Sequence, residues 1–504
     1  MELELRQETV RCWESVCRTT LEQEETSEMI VPDACPDIWQ VLDGEGRLLL
    51  QRKEPQDGKA ELAGLLKVTI LYQPEGENGV RALDLTLPFA ASPDLNQVTR
   101  RCCLHVRPRV LMVDVHLLNP RKVLVRVGYS LELEAFAPQD MALACMVEDA
   151  ADHAIRQRTG AWKSLMSVLA QEKSFTYSDT LVLPAGRPDA AQVLRTRAEA
   201  SCSDARVIGN KLVFKGEAIL HILCRGEDGQ VFPADFHLPY SQIMDAGEEG
   251  EDSLCTLDLA FTDVKCALVE GDPRSFQVEL AIQAQAVLRK QIEVPILADL
   301  YSTEYDLQTE ERSTIAAILA GQGEEQETAR ESLETTEAPV EILDVQVRLG
   351  RAGQSQEGED RVLTQEAELS VLYRAEEGPA SVRRTVTVAH RLPGQGEAAC
   401  VFTAELPREA TASNSGNAIE VSFPLTFHWM SLHTQTVPVI AKVQVGEPLE
   451  QTDRRPSAVI RAVKPGQTLW DVAKACRSTE GEIMEASALA SAEIYPGQML
   501  LIPR

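Results

Sequence analysis

Long apolar runs are missing from this sequence. No stretch of the 504 residues approaches the length of apolar chain that a membrane span requires. The opening residues, MELELRQETVRCWESV, carry charges throughout and lack the continuous apolar segment of a secretory signal. We therefore expect a protein without membrane insertion that stays in the compartment where it is made, the cytoplasm.

Positive charge is also scarce. The chain has 49 Lys and Arg residues against 78 Asp and Glu residues, so its formal net charge is -29. Such a chain repels phosphate backbones and anionic lipid surfaces alike. We therefore expect neither nucleic acid nor a membrane surface as a partner.

Motifs of catalysis are absent as well. There is no GxSxG elbow, no HExxH, no P-loop and no GxGxxG after a predicted strand. The histidines are scattered, without the spacing of metal ligands or of a general base: His105, His116, His153, His221, His237, His390, His428 and His433. We predict that the protein is not an enzyme and has no cofactor.

Cysteine is present, with 12 residues, but no CxxC pair occurs. The densest cluster of soft ligands is Cys102 and Cys103 with His105. Adjacent residues of a strand point to opposite faces, so these two thiols are poorly placed to bind one ion. Without an export signal, we expect reduced thiols and no metal site.

The first 450 or so residues contain a repeat. Elements of the first copy recur about 150 residues later: Val31-Pro32, Pro36-Asp37 and Gln40-Val41-Leu42 return as Leu183-Pro184, Pro188-Asp189 and Gln192-Val193-Leu194. A third, degenerate copy is recognisable around Leu372, which corresponds to Leu71 and Leu223. The chain therefore has three related units.

Each copy has the pattern of antiparallel β structure. Runs in which apolar and polar residues alternate, such as Lys122 to Val127, predict strands with one buried face and one solvent-exposed face. Turn residues separate neighbouring runs, for example Asn119-Pro120 and Gly271-Asp272-Pro273. We predict a mainly β protein whose three repeats are antiparallel β-sandwiches or barrel-like sheets.

Two segments between the copies look different. Within Ala142 to Lys173, apolar residues at helical spacing predict a packing helix: Trp162, Leu165, Met166 and Leu169. The second segment, Leu307 to Ala338, is acidic and poor in apolar residues around Gly321 to Glu327, which predicts a solvated hinge.

The last 45 or so residues form a separate pattern. A short alternating strand from Val459 leads through a Pro-Gly turn into a helix, for which Thr468 and Asp471 have capping-box spacing. Thr479 and Glu482 repeat that spacing for a second helix, and a strand from Met499 to Ile502 closes the chain. We predict the order strand, helix, helix, strand.

That order, with VKPGQTLWDVA in front and IYPGQMLLIP behind, resembles the LysM domain, a βααβ module that binds N-acetylglucosamine polymers such as peptidoglycan and chitin. The family usually has Asp where Gln467 stands and Asn where Ser487 stands. The resemblance implies a ligand or partner groove between two loops, at Gly466, Gln467, Thr468, Leu469, Ile494, Tyr495, Pro496 and Gly497.

The repeated unit, with its Pro32-Asp33 and Pro36-Asp37 element, resembles the DUF3794 domain. Tandem DUF3794 units before one LysM domain resemble spore-coat morphogenetic proteins of the SipL type. The resemblance divides the chain into residues 1–140 (first β repeat), 141–306 (linker helix and second repeat), 307–450 (acidic linker and third repeat) and 458–504 (LysM domain).

In that family the protein is a non-catalytic adaptor on the forespore surface in the mother-cell cytoplasm. Its LysM domain is implicated in binding a coat-basement ATPase of the SpoIVA type, so the resemblance implies a protein partner. The alternative is a protein that binds peptidoglycan or another N-acetylglucosamine polymer.

The uneven distribution of cysteines among the copies gives a first prediction. If disulfides held a common fold, the repeats would share paired positions, and they do not. Thiol titration of denatured, unreduced protein should recover nearly all 12 cysteines. A large shortfall would contradict the expectation of a reducing compartment.

Overall fold

The structure is a computed structural model that describes residues 1–77, 79–449 and 458–503. The predicted exposed linker at 451–457 lies outside the described residues. The chain is mainly β, as predicted, with several antiparallel sheets and a helix-containing C-terminal region. All 12 cysteines are free thiols. Among the described residues, no helix combines the length and apolar character needed to cross a membrane.

Three consecutive sets of strands carry the repeats. The first repeat comprises β1 (Leu5–Ile30), β2 (Ile38–Gln56), β3 (Lys59–Pro74), β4 (Arg81–Ala91), β5 (Cys103–Asn119) and β6 (Lys122–Val147). The second comprises β7 (Ile155–Val182), β8 (Ala190–Ile208), β9 (Lys211–Gly226), β10 (Val231–Asp245), β11 (Leu254–Val269) and β12 (Asp272–Ser302). The third comprises β13 (Tyr305–Glu334), β14 (Glu341–Glu357), β15 (Asp360–Arg374), β16 (Pro379–Leu392), β17 (Ala399–Glu405), β18 (Thr411–Ser415) and β19 (Ala418–Pro448).

Every repeat has the same topology. The second, third and fourth strands form one antiparallel sheet, and the last strand pairs with both the first and the fifth to form another. In the third repeat, β17 and β18 both pair with β19 in place of a single fifth strand. β6 runs to Val147, so the first repeat extends beyond the predicted boundary at residue 140.

The two sheets of a repeat pack face to face. In the first repeat, alternate residues of β3 from Leu66 to Tyr72 meet alternate residues of β6 from Val123 to Leu133 in one buried cluster. The strict alternation of these side chains follows from the two-residue period of a strand. Each repeat is therefore a two-layer sandwich.

An arginine explains the repeated Pro-Asp element. Arg121, in the turn between β5 and β6, donates to the carbonyls of Val31 and Cys35 and to the carboxylate of Asp37 at 2.9 Å. Arg274 does the same in the second repeat, where its carboxylate partner is Asp189 at 2.9 Å. The motif that marks the repeat therefore fixes the loop that leads into the second strand.

The predicted linker helix in Ala142 to Lys173 is wrong. Apart from a 3₁₀ turn at Ala150–His153, this stretch belongs to β6 and β7. β7 carries an irregularity in its pairing with β12 at Val168, and its side chains are buried on both faces around Trp162 and Leu165. The irregularity and the two-sided burial disturb the two-residue alternation, so the apolar residues fall at helical spacing.

The predicted acidic hinge at Leu307 to Ala338 is also wrong over most of its length. Residues Tyr305–Glu334 form β13, which pairs with β19 from end to end. β13 lies at the edge of its sheet. Edge strands commonly carry exposed charges that discourage pairing with another chain, and this accounts for an acidic sequence that resembles a loop.

The three repeats meet around a common axis. In each repeat a β-bulge leaves one leucine outside the ladder between the second and third strands. These leucines and their neighbours on the third strands form one buried cluster: Leu42, Leu194, Leu343, Leu71, Leu223 and Leu372. Corresponding positions of the three repeats therefore pack together, as in a trimer built within one chain.

The residue after each bulge leucine is charged, and its side chain is at most 10% exposed. These residues are Asp43, Arg195 and Asp344. Arg195 contacts Asp43 at 2.5 Å and also bonds Asp344, so it bridges the other two repeats. Arg383 donates to Asp43 at 2.9 Å, and Arg197 donates to Asp344 at 3.0 Å. An ionic cluster thus lies next to the leucine cluster.

The cluster holds its carboxylates in the charged form. Burial alone would raise the pKa of Asp43, but Arg195 and Arg383 hold that pKa well below its ordinary value. A lowered pKa in the folded state means that this carboxylate stabilises the fold above its unfolded pKa, and that the contribution is lost as the pH falls.

Removal of Arg195 should therefore destabilise the whole protein. Arg195→Met leaves two buried carboxylates without their shared partner, which typically costs about 3–5 kcal/mol. We expect a clear fall in the denaturation midpoint, measured by circular dichroism in urea. Arg206→Met removes an exposed ion pair with Asp204 and should change the stability by about 0.5 kcal/mol or less. Equal midpoints for the two variants would contradict the role of the cluster.

Candidate functional site

The candidate site lies in the C-terminal domain, which has the predicted order of elements. It comprises β20 (Ala458–Ala462), α1 (Leu469–Cys476), α2 (Glu480–Ala486) and β21 (Met499–Pro503). Thr468 with Asp471 and Thr479 with Glu482 both form complete capping boxes. The side chains behind these caps, including Val472, Ile483 and Leu500, form a buried core.

Two turns of the same design carry most of the residues that were predicted to line a groove. They are Lys464-Pro465-Gly466-Gln467 and Tyr495-Pro496-Gly497-Gln498. The glycine of each turn has positive φ, +79° at Gly466 and +86° at Gly497, which a side chain would strain. In each turn the glutamine Oε1 accepts from the first residue's N–H, at 3.1 Å from Lys464 and 2.9 Å from Tyr495.

Backbone hydrogen bonds hold the two turns side by side. Gly497 N donates to Val463 O at 2.9 Å, and Val463 N donates to Gln498 O at 2.9 Å. The structure therefore brings together the two loops that carry the predicted site residues. This adjacency follows from the pairing of β20 with β21.

The predicted residues differ in what they offer to a ligand. Leu469 is buried in the core, and Ile494 packs against it. The hydroxyl of Thr468 serves the cap of α1, and Oε1 of Gln467 serves its own turn. The ring of Tyr495 remains free, with 66% of the residue exposed.

Ser487 has a structural contact where the family usually has Asn. Its hydroxyl accepts from Leu501 N at 2.8 Å and lies 3.2 Å from Leu501 O. It therefore ties the end of α2 to the backbone of β21.

A second surface of this domain docks on the second repeat. Tyr301 of β12 inserts into the core of the C-terminal domain, where its hydroxyl donates to Ser478 O at 2.8 Å. Asp299, two residues earlier, accepts from Trp470 Nε1 at 2.8 Å and from Lys474 Nζ at 2.5 Å. The docking face thus consists of α1 and the residues directly after it, whereas the ring of Tyr495 stays exposed.

Sequence reasoning did not identify this docking face. The one sign of the docking face in the sequence is Trp470, a large aromatic residue that lies beside the apolar stripe of α1 rather than in it. Trp470 is nevertheless only 7% exposed, because Tyr301 and Arg158 cover its ring. A buried tryptophan off the stripe indicates contact with another part of the chain.

The cysteine cluster does not form a metal site. Cys102 packs into the core of the first repeat, whereas Cys103 packs against a different cluster with Phe136, Ala170 and Val287. Burial lowers the pKa of His105, and the positive charge of Lys53 lowers it further, to about 3, so this imidazole is neutral. The two thiols point to opposite faces, as the strand pattern predicts.

A cavity of about 880 Å³ lies between the three repeats. Its lining contains arginines and carboxylates of different repeats, such as Arg107 and Asp258, which pair at 2.7 Å. These charges neutralise each other across the interface between repeats.

Comparison with known families gives two matches. Residues 462–503 match the LysM domain, and residues 37–118, which span β2 to β5 of the first repeat, match the SipL, SPOCS domain. Both are non-catalytic binding domains, and together they fit a sporulation-related protein with a glycan-binding module. No curated protein and no solved structure matches the chain.

The docking contact gives a prediction. Burial alone would raise the pKa of Asp299, but hydrogen bonds from Lys474 and Trp470 hold it below its ordinary value. Asp299→Ala removes both bonds and should loosen the C-terminal domain. Hydroxyl-radical footprinting should then show several-fold more oxidation of Trp470, towards the level of the exposed Trp39.

The matched control lies on the same strand. Glu293→Ala, on β12, removes an exposed ion pair with Lys163 of β7 and should leave Trp470 protected. If Trp470 stays as protected in the Asp299 variant as in the control, the docking contact does not hold the domain.

Proposed function

We propose, from the domain combination of a SipL-type protein with a LysM domain that this chain carries, that it is a non-catalytic adaptor in spore-envelope assembly. Its LysM domain binds a protein partner, a coat-basement ATPase of the SpoIVA type, at the forespore surface in the mother-cell cytoplasm. The three β repeats form the body on which this domain is held.

The observation that carries this proposal is an exposed apolar surface on the LysM domain. Ile460 and Leu501 are directly opposite each other in the sheet, and Met499 pairs with Ala462. These side chains face away from the core residues Leu500 and Ile502. Exposure is 64% for Ile460 and 61% for Met499.

Tyr495 adds an exposed aromatic ring close in sequence to this surface. It begins the turn that leads into Met499, four residues later. Aromatic residues and methionine are enriched at protein interfaces, and exposed apolar patches commonly mark such sites. A sugar polymer is bound largely through hydrogen bonds, whereas the exposed side chains of Ile460, Met499 and Leu501 are apolar.

The docking of the domain supports the same function. Trp470, Lys474 and Ser478 contact the second repeat, and Tyr495, Ile460 and Met499 stay exposed. The domain can therefore bind a partner without leaving the body of the protein.

The second candidate function is binding of peptidoglycan or another N-acetylglucosamine polymer. The LysM match favours it, and so does the side-by-side arrangement of the turns at Gly466 and Gly497. Thr468, Pro496 and Gly497 would then contact the sugar, together with the ring of Tyr495.

Replacement of Tyr495 tests the proposal. Tyr495→Ala should weaken binding of the full chain to a SpoIVA-type ATPase by about 1–3 kcal/mol, a typical loss for an interface anchor, and should leave the fold intact. Met499→Ser should also weaken binding. The measurement is titration calorimetry with the purified ATPase.

Ile243→Ser provides a matched control, because Ile243 is 55% exposed but lies in the second repeat. It should leave binding unchanged. In parallel, the full chain is titrated with chito-oligosaccharide. Micromolar sugar binding without any binding of the ATPase would reject the adaptor and support the glycan function.

A further inference from the structure

The second and third repeats bring together a histidine and two carboxylates that the sequence separates widely. His221 and Asp235 are cross-strand neighbours on β9 and β10. Glu409 comes from the third repeat, between β17 and β18. One ligand atom of each residue lies within 4.8 Å of the other two, and no other group of this kind occurs among the described residues.

The distances suit a metal ion. His221 Nδ1 lies 2.8 Å from Asp235 Oδ1 and 3.7 Å from Glu409 Oε1. Tetrahedral zinc with ligands at 2.0–2.2 Å separates its ligand atoms by roughly 3.4 Å. Small side-chain rotations would bring the three groups to that spacing.

The surroundings carry an excess of negative charge. A cavity of about 180 Å³ adjoins the three residues, and its lining contains the carboxylates of Glu199, Asp235, Asp344 and Glu409 but only the guanidinium groups of Arg197 and Arg408. Arg197 is already bonded to Asp344.

The pseudo-symmetry relates this position to one in the third repeat. The pair that corresponds to His221 and Asp235 in the third repeat is Ser370 and Arg383. There the guanidinium of Arg383 supplies a positive charge to Asp43 of the first repeat, at 2.9 Å. In the second repeat Asp235 stands at the position of Arg383, whereas Asp344 of the third repeat is bonded by Arg195 and Arg197.

We propose that His221, Asp235 and Glu409 bind one divalent transition-metal ion, with Zn²⁺ as the best match for one imidazole and two carboxylates. The ion neutralises the facing carboxylates of Asp235 and Glu409. It links the second repeat to the third, and water completes its coordination. This site is separate from the LysM groove and from the cysteines.

Zinc binding by the full chain tests the proposal. Protein stripped with chelator is titrated with Zn²⁺ by calorimetry, as wild type, His221→Gln and Glu409→Gln. Wild type should bind one more equivalent of Zn²⁺ than His221→Gln, and Glu409→Gln should lose affinity by about tenfold or more. Zn²⁺ should raise the melting temperature of the wild type more than that of Glu409→Gln, because the ion binds the folded state.

Two controls exclude other causes. His116 lies 2.8 Å from Asp114 but has no third ligand, so His116→Gln should bind Zn²⁺ as the wild type does. Co²⁺ serves as a spectroscopic probe, since thiol ligands give intense charge-transfer bands. The equivalent lost in His221→Gln should lack those bands.

The proposal fails if wild type and both site variants bind Zn²⁺ equally, if the lost equivalent has thiolate bands, or if the wild type binds none. If His221→Gln does not fold, Glu409→Gln decides, because Glu409 lies in an exposed segment.

Discussion

The fold depends on one buried contact, the bridge of Arg195 to Asp43 and Asp344. These three residues stand at corresponding positions of three repeats, and all three side chains are nearly excluded from solvent. In a symmetric trimer of separate chains, the same residue would meet itself at the axis, as three aspartates or three arginines. Within one chain the repeats can differ, so opposite charges meet and repulsion is avoided.

The same divergence explains other features of the interfaces between repeats. The leucines of the bulges stay the same because an apolar cluster tolerates identical residues. The polar positions differ: Thr69 with Asp84, His221 with Asp235, and Ser370 with Arg383 occupy one cross-strand position in the three repeats. Each interface therefore has its own chemistry on a common backbone.

The proposed function rests on how this body holds its C-terminal domain. One face of the domain is bound to the second repeat through Trp470 and Lys474. Tyr495 and the outer face of the sheet stay exposed, which leaves a surface open for the proposed partner. A domain fixed in this way loses less freedom when it binds a partner than a freely tethered one would.

Local signals made much of this structure predictable. The repeat, the hairpins and the βααβ domain with its two capping boxes were predicted because each depends on residues close in sequence. The predicted helix around Trp162 was wrong because an irregular strand that is buried on both faces can show helical spacing of apolar residues. The predicted acidic hinge was wrong because an edge strand can be as acidic as a loop. The cluster at Arg195, the docking of Trp470 and the grouping of His221 with Glu409 depend on contacts between distant residues, which one sequence does not reveal.

The account holds that the three repeats form one cooperative body around the Arg195 cluster. Differential scanning calorimetry of the full chain tests this most directly. We expect the repeats to unfold in a single transition, with a calorimetric enthalpy close to the van't Hoff enthalpy. Separate transitions for the three repeats, as for independent domains on a string, would contradict it.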